Sequence, residues 1–176
     1  THRLSSAASD VYKRQHKIID IEVDENINSS DSPQENVRAL SVLKCQEGVR
    51  KVISESKSTF PILAADTIVV LENEIFGKPS SESDAIAMLL KLSGKTHIVM
   101  TAVTVGIINQ DQAKFHTISV SSSVEFAKLT EEDCKDYCKT NEPFDKAGGY
   151  GIQGYGSAFI KKINGSYSNI VGLPIH

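Results

Sequence analysis

The sequence predicts a single α/β domain. The chain has 176 residues, which is enough for one substantial core. Two adjoining apolar stretches, 97–108 and 113–126, have the length and composition of long strands. Three further segments begin with the side chains that commonly cap helices. Hydrophobic residues make up 40% and charged residues 23% of the chain, as is usual for a globular domain.

The N-terminal part changes character at about residue 16. Residues 1–15 are polar and lack periodicity, so we interpret them as an atypical or non-native segment ahead of a domain at 16–176. The alternation of apolar residues from Lys17 to Val23 then predicts a strand. Glu25 follows it in an acidic turn, and composition alone favours a solvated loop carboxylate there.

A long helix is predicted next. The segment Ser32–Glu35 combines an N-cap serine, a proline in the first turn and a capping-box glutamate, and the helix is expected to run to about Ser54. Val37, Leu40 and Lys44 share one face of it. Lys44 therefore projects along an apolar stripe, where it either extends its ammonium back to solvent or reaches into a cleft.

A β-hairpin is predicted between Phe60 and Pro79. Ile62–Leu71 forms the first strand, a tight turn follows at Glu72–Glu74, and a short return strand ends at Gly77. This hairpin places polar residues inside an otherwise apolar strand.

Asp66 is the most informative of these polar residues. A carboxylate in a buried strand is costly unless a cation or hydrogen bonds compensate it. Asp66 is therefore either a member of a structural ion pair or a ligand for a metal or a water at a pocket. Thr67 adjoins it and Lys78 follows the return strand, a combination that suits a phosphate and metal site. Adjacent strand residues face opposite sides, so Asp66 and Thr67 share a pocket only where the strand ends or bulges.

The second half begins with a helix and two long strands. Ser81 and Asp84 form a capping box for a helix that ends at Gly94. Apolar residues occupy both faces of 97–108, which predicts a central strand, and 113–126 returns antiparallel to it.

The last part of the chain is rich in glycine. Thr130 caps a third helix that is expected to end near Asn141. The segment Glu142–Gly156 then carries five glycines within nine residues, which permits close backbone approach to a ligand or simply forms a flexible surface loop. Lys146 in this segment makes phosphate or base recognition plausible. A hairpin over 158–171 is predicted to close the domain.

Composition excludes several classes of function. A net charge of −3 gives no basic surface for nucleic acid. No apolar run is long enough to span a membrane, and the N-terminus has no signal-peptide pattern. The three cysteines, Cys45, Cys134 and Cys138, lack zinc-site spacing and are best explained as free thiols in a reducing cytoplasm. We therefore expect a cytoplasmic protein without nucleic-acid or membrane partners.

Several sequence blocks together resemble the Maf family. The resemblance extends from about Lys17 to the C-terminus, and the blocks occur in the family's order. The blocks are Ala64–Val69, Gly77–Pro79, Leu92–Val103, Glu142–Gly154 and Lys162–Pro174.

The resemblance implies an enzyme. Maf proteins are nucleoside triphosphate pyrophosphatases that cut between the α and β phosphates and use a divalent metal, normally Mg²⁺, with Mn²⁺ as an alternative. Their fold is a single α/β domain with an elongated, bent, mixed sheet and a central cleft, similar to the inosine-triphosphatase fold. The implied substrates are dTTP and UTP, with modified pyrimidine nucleotides as further candidates, and a homodimer is implied as a possible assembly.

The same resemblance assigns roles to seven residues. Asp66 corresponds to the proton acceptor or metal-linked acid, and Glu25 to the acid that joins it at the metal. The other five correspond to substrate-facing residues: the phosphate-facing lysines Lys44, Lys78 and Lys146, and the pyrimidine-specificity residues Thr67 and Gln153.

Two departures from the family pattern leave alternatives open. The family's Ser-x-Ser-Pro-Arg-Arg loop is replaced by residues 5–15, and the family's C-terminal helix does not follow Pro174. Both ends are therefore expected to be truncated or replaced. A nucleotide-binding regulator of septum formation with weak catalysis is one alternative. The same chemistry on another nucleotide, such as methylated guanine triphosphate, is a second, although Thr67 and Gln153 oppose it.

Overall fold

The fold is an α/β domain in which one sheet lies between helices, as expected from the sequence. The computed structural model describes residues 16–25, 30–56, 60–109 and 112–175, so the predicted N-terminal segment 1–15 lies outside the described residues. In chain order the elements are α1 (Pro33–Ser56), β1 (Ile62–Leu71), β2 (Glu74–Phe76), α2 (Glu82–Leu92), β3 (Thr96–Asn109), β4 (Gln112–Phe126), α3 (Glu131–Cys138), three 3₁₀ turns (Glu142–Asp145, Ala147–Gly149 and Tyr155–Phe159), β5 (Ile160–Asn164) and α4 (Tyr167–Val171).

The five described strands form one sheet in the order β2-β1-β3-β4-β5. All pairs between them are antiparallel, whereas the family resemblance implied a mixed sheet. The tight turn after β1 forces β2 to run antiparallel to β1. The turn after β1 places Glu72 and Asn73 at φ of 53° and 69°, the conformation that favours hairpin closure. The predicted hairpin at Phe60–Pro79 is therefore confirmed.

The sheet separates two apolar cores. Helix α1 packs on one face, where Cys45, Val49 and Ile62 form the centre of a buried cluster. The opposite face carries a larger cluster that includes Val69, Leu89 and residues of α3 and of the glycine-rich segment. Residues of even and odd number on β1 thus belong to different cores, as the two-residue period of a strand requires.

The predicted helix starts are confirmed where the structure describes them. Ser81 accepts a hydrogen bond from the backbone N–H of Asp84, and Thr130 forms a capping box with Asp133. Glu35 accepts from the backbone N–H of Ser32 at 2.8 Å. Among the described helices, none has the length and apolar composition needed to cross a membrane.

Two predictions of strands are wrong. Residues 17–23 form no strand; the segment lies against α1, where Lys51 donates to the carbonyl of Asp20 at 2.9 Å, and Ile19 packs on the α1 core. The expected hairpin over 158–171 is instead β5 followed by the short helix α4. Ser166 caps α4 by accepting from the N–H of Asn169. A local capping signal overrode the apolar pattern of Ile170 and Val171.

Candidate functional site

An ammonium group lies between two carboxylates on the α1 face of the sheet. Lys44 Nζ is 2.6 Å from Asp66 Oδ1 and 2.8 Å from Glu25 Oε1. The side chains of Lys44 and Asp66 are only 11% and 10% exposed. We call Glu25, Lys44 and Asp66 the acidic cluster. Three of the seven predicted site residues therefore meet.

The helix and strand periods explain why these residues meet. Val37 and Leu40 are buried on the same face of α1 as Lys44, which confirms the predicted stripe. Asp66 shares the α1-facing side of β1 with the buried Ala64 and Ile68. Both alternatives for Asp66, the ion pair and the pocket, are thus consistent with its contacts.

The charge balance of the cluster favours a protonated Lys44. Burial acts to lower the pKa of Lys44, but the adjacent Asp66 and Glu25 carboxylates outweigh burial and raise the pKa overall. The cluster therefore combines two acids with one permanent cation at neutral pH.

Lys78 extends the cluster along the sheet edge. Its Nζ lies 3.8 Å from Glu25 Oε2. Among the described strands, β2 pairs with β1 only at Val69, Val70 and Leu71. If the antiparallel register Val69↔Phe76 is extended by two residues, Lys78 lies opposite Thr67. Beyond the end of β2, no other described strand pairs with this edge of β1, which lies between Lys78 and the acidic cluster.

Thr67 lies on the face of β1 opposite to Asp66. Its Oγ1 is 2.9 Å from Thr101 Oγ1, and Thr101 donates to the carbonyl of Asn169 at 2.8 Å. The pairing of β1 with β3 runs through Thr67 in regular register, so no bulge rotates it towards Asp66. Asp66 and Thr67 therefore face opposite sides of β1, as the sequence predicted.

Lys146 and Gln153 lie on the glycine-rich segment, which the structure attaches to the end of β2. The N–H of Gly148 donates to the carbonyl of Gly77 at 2.9 Å, next to Lys78. Lys146 Nζ pairs with Asp145 at 2.5 Å, and Gln153 is exposed. One backbone hydrogen bond thus links this segment to the lysine beside the acidic cluster.

The sequence-based interpretation missed a network centred on Glu142. Its carboxylate accepts hydrogen bonds from the N–H groups of Tyr155 and Gly156 and from the hydroxyl of Tyr137. The Tyr137 hydroxyl in turn accepts from the N–H of Gly151 at 3.1 Å. The spacing of Gly151, Gly154 and Gly156 was the available signal, but the close approach that it indicated was assigned to a ligand.

A buried histidine anchors the same segment to the sheet. His97 Nε2 lies 2.7 Å from the Tyr150 hydroxyl, and both rings contact Phe126 edge to face. Burial lowers the pKa of His97 to about 4, so the imidazole is neutral at pH 7. Within the described residues, His97 Nδ1 has no hydrogen-bond partner.

The acidic cluster suits a hard cation that also binds phosphates. Among the described residues, no group of three or more His, Cys, Asp or Glu side chains is arranged to hold a metal. Mg²⁺ in phosphate-processing sites uses one or two carboxylates and completes its octahedron with substrate oxygens and water. Glu25 and Asp66 supply two carboxylates around one cationic nitrogen. Their donor set therefore fits the ion that the resemblance implied.

One open cavity lies elsewhere on α1. It has a volume of about 510 Å³ and is lined by Asp24, Arg38, Thr117 and apolar residues of α1. None of the seven predicted site residues lines it. Arg38 bonds to the carbonyl of Thr117, which gives its guanidinium a structural role.

Comparison with known proteins supports the same interpretation. The family of Maf-like proteins matches residues 7–176. The chain is similar to the dTTP/UTP pyrophosphatase of Clostridioides difficile strain 630, with 46% identity over 90% of this chain and 78% of that protein. It is 43% identical to the dTTP/UTP pyrophosphatase of Escherichia coli K12 over 85% of this chain and 74% of that protein. It is 42% identical to the dTTP/UTP pyrophosphatase of Caldicellulosiruptor bescii over 91% of this chain and 79% of that protein.

The family match spans nearly the whole chain, and its range of 7–176 contains the seven predicted site residues. It agrees with the α/β fold. The chain therefore belongs to the Maf family.

Proposed function

We propose that this protein hydrolyses dTTP and UTP to the nucleoside monophosphate and pyrophosphate. The observation that carries the proposal is the acidic cluster beside Lys78, next to the part of β1 that lies beyond the end of β2. Relatives at 42–46% identity are named dTTP/UTP pyrophosphatases, which supports the reaction and the nucleotide class.

Glu25 and Asp66 are the proposed holders of the divalent metal. When bound, Mg²⁺ supplies Lewis acidity towards the phosphate oxygens, and Mn²⁺ is the alternative ion. Lys44 already lies between the two carboxylates and holds them close to each other. The protein thus carries a preformed pair of anionic oxygens at the place where the triphosphate arrives.

Asp66 is the proposed general base. Its carboxylate accepts the proton of the attacking water, whose oxygen forms a bond to the α phosphorus while the bond to the bridging oxygen breaks. Pyrophosphate leaves with that bridging oxygen. The salt bridge to Lys44 holds Asp66 in one orientation, which is what in-line attack requires.

The lysines bind the phosphates. Lys44 belongs to the acidic cluster and Lys78 lies next to it. The charges of these two lysines stabilise the negative charge that develops on the bridging and leaving oxygens. Lys146 reaches the same phosphates from the glycine-rich segment, which is bonded to Gly77 next to Lys78. Asp145 compensates the charge of Lys146 until substrate binds.

The edge position of β1 allows Asp66 and Thr67 to serve one ligand. Adjacent side chains on a covered strand face separate cores. Beyond the end of β2, a ligand that lies along the edge contacts both faces of β1. Thr67 and Gln153 are the proposed base-recognition residues, because the amide of Gln153 matches the acceptor and N–H pattern of uracil and thymine.

Product analysis tests the proposal. Wild-type protein is incubated with UTP or dTTP and Mg²⁺, and the products are resolved by phosphorus NMR. The proposal predicts UMP or dTMP together with pyrophosphate, and loss of both products when the metal is chelated. Release of single phosphate with UDP or dTDP would contradict it. Tight calorimetric binding of dTTP without any product would instead identify a nucleotide-binding regulator.

Homodimer formation and a cytoplasmic location stay predictions. The free, buried state of Cys45, Cys134 and Cys138 agrees with the expected thiols. Burial raises the pKa of Cys45 and Cys134 to about 11, so these thiols are unreactive at neutral pH.

A further inference from the structure

We propose that Glu142 is a positioning residue for nucleotide selection, because its carboxylate fixes the backbone on both sides of Gln153. The inference rests on the proposed function and extends it to a residue outside the seven substrate and metal positions. Glu142 acts through the backbone that carries Gln153 and makes no contact with the reacting atoms.

The contacts of Glu142 are all with neutral donors. Oε2 accepts from the N–H of Tyr155 at 2.8 Å, and Oε1 accepts from the N–H of Gly156 at 3.1 Å and from the Tyr137 hydroxyl at 2.8 Å. Hydrogen bonds to an ionised acceptor are about twice as strong as neutral ones. Among the described residues, no salt bridge joins Glu142 to a lysine or arginine. Its carboxylate therefore interacts mainly with backbone N–H groups.

Three glycines exist where this carboxylate and its phenol partner approach the backbone. A Cβ added at Gly154 would collide with both carboxylate oxygens of Glu142, and one at Gly151 would lie 2.8 Å from Oε1. A Cβ at Gly156 would lie 2.8 Å from the Tyr137 hydroxyl. Gly151 and Gly154 are therefore explained by an internal acid, and Gly156 by its approach to the Tyr137 hydroxyl and to the Gly151 carbonyl.

Tyr137 completes the arrangement. It is 4% exposed and donates to Glu142 while accepting from the N–H of Gly151. Burial raises the pKa of Tyr137, and the neighbouring Glu142 raises it further. The phenol therefore stays protonated over the working pH range and keeps donating to the carboxylate.

Gln153 lies between the two fixed points. Gly151 is held through Tyr137 on one side, and Tyr155 and Gly156 are held directly by Glu142 on the other. The side chain of Gln153 is exposed, so packing does little to orient it. Its approach to a base is therefore set by the backbone that Glu142 holds.

The first experiment separates binding from turnover. KM and kcat for UTP and CTP are measured for wild type, Glu142→Gln, Tyr137→Phe and the control Glu132→Gln, an exposed acid on α3. The amide of Glu142→Gln cannot accept all three hydrogen bonds. We expect KM for UTP to rise about tenfold, the factor that corresponds to one charge-assisted hydrogen bond, with kcat changed less than about twofold.

The preference for UTP over CTP should fall in the same variants. Tyr137→Phe should show the same direction with a smaller change, and Glu132→Gln should match wild type. Unchanged KM and unchanged preference in folded Glu142→Gln and Tyr137→Phe would overturn the inference. A fall in kcat alone, with KM kept, would overturn it too, since it would place Glu142 in the chemical step.

A double-mutant cycle tests the link between the acid and the glycines. Gly154→Ala is made in wild type and in Glu142→Ala, and the unfolding free energy and KM are measured for each. Because the added methyl meets the carboxylate, Gly154→Ala should be much less harmful once the carboxylate is gone. Equal effects in both backgrounds would mean that Gly154 serves another purpose. Gly154→Ala in the Glu132→Gln background is the control, and it should be as harmful there as in wild type.

Failure of the inference is distinguishable from failure of the proposed function. If wild type releases no pyrophosphate, the proposed function fails and the same variants are compared by calorimetry with UTP and CTP. A loss of UTP preference in Glu142→Gln then still supports the positioning role, and a kept preference rejects it.

Discussion

The acidic cluster and the Glu142 network both place a carboxylate in a partly buried setting, but they satisfy it in different ways. Asp66 is paired with a lysine ammonium, shared with Glu25. Glu142 receives two backbone N–H groups and a phenol. A carboxylate that is paired with a flexible lysine side chain can exchange that partner for a ligand. A carboxylate that accepts hydrogen bonds from backbone N–H groups stabilises the local backbone conformation.

In the proposed enzyme, the acidic cluster therefore takes part in the reaction, whereas the Glu142 network maintains the structure around it. The cluster on the α1 face offers two carboxylates and a cation beside the part of β1 that lies beyond the end of β2. The network on the opposite side shapes the segment that carries Gln153. Neutralising an acid on the α1 face should therefore affect the reaction rate, whereas neutralising Glu142 should affect the choice of nucleotide.

The largest expected effect on stability comes from Lys44→Met. Removing the ammonium breaks the ion pair of Asp66, which is 10% exposed, and breaking a buried ion pair costs about 3 kcal/mol or more. Because Mg²⁺ is proposed to bind the same two carboxylates, Mg²⁺ at about 10 mM should restore part of the loss by binding the native state. Urea unfolding with and without Mg²⁺ measures both effects.

The Lys44→Met experiment has a clear contrary outcome. An unchanged unfolding free energy would mean that the pair is not important for stability. If Mg²⁺ restored none of the lost unfolding free energy, Glu25 and Asp66 would be rejected as metal ligands, independently of any activity measurement.

The next largest effect is the loss of stability at low pH that we expect from His97, which lies on the side of the sheet that carries the glycine-rich segment. The pKa of His97 is lowered by burial to about 4, while an unfolded histidine has a pKa of about 6.5. The unfolded chain therefore binds the proton first. The contribution of neutral His97 to stability is complete above about pH 6.5 and is lost as the pH falls towards 4, by up to about 3 kcal/mol.

Unfolding free energies measured from pH 7 to pH 4 test this expectation. The fall should be shallower in His97→Gln, which removes the titrating group while keeping a polar side chain near Tyr150. Parallel curves for the two proteins would show that another group is responsible for the acid sensitivity.

A smaller effect is expected for base recognition. Gln153→Ala should lower kcat/KM for UTP about tenfold, since one pair of hydrogen bonds to the pyrimidine edge is lost. The value for CTP should change less. A proportional loss for every nucleotide would assign Gln153 to general binding and not to selection.

The smallest stability effect is expected for Lys146→Met. The Lys146–Asp145 pair is on the surface, with the two side chains 43% and 75% exposed. Exposed pairs contribute less than about 1 kcal/mol, so the unfolding midpoint should hardly move. KM for UTP should nevertheless rise, because the proposed phosphate contact is lost. A stability loss comparable to that of Lys44→Met would erase the distinction between the two lysines.

The sequence predicted the acidic cluster better than the region around Glu142. The placement of Lys44 follows from helix periodicity, and the cost of burying Asp66 indicated a cation or hydrogen bonds nearby. Only the family resemblance indicated Glu25, which composition alone placed in a solvated loop. The pairing of the hairpin at 60–79 was equally readable, since the turn and strand signals are local. These predictions rest on short-range rules that tertiary packing did not reverse.

The remaining features depended on long-range contacts. The 142–156 segment offered only its glycines, and nothing in its composition told a ligand from the Glu142 carboxylate as the approaching group. Residues 17–23 had the alternation of a strand but lie against α1 outside the sheet. Whether Asp66 and Thr67 share a ligand depended on where β2 ends, which apolar spacing does not determine.

The most direct test of the account is the turnover of Asp66→Asn. Asparagine keeps the size of the side chain but cannot take up a proton, so pyrophosphate release from saturating UTP and Mg²⁺ should fall at least about 100-fold. Circular dichroism and the unfolding midpoint establish that the variant is folded. Turnover at the wild-type rate by folded Asp66→Asn would contradict the account, because Asp66 would then be only a structural partner of Lys44.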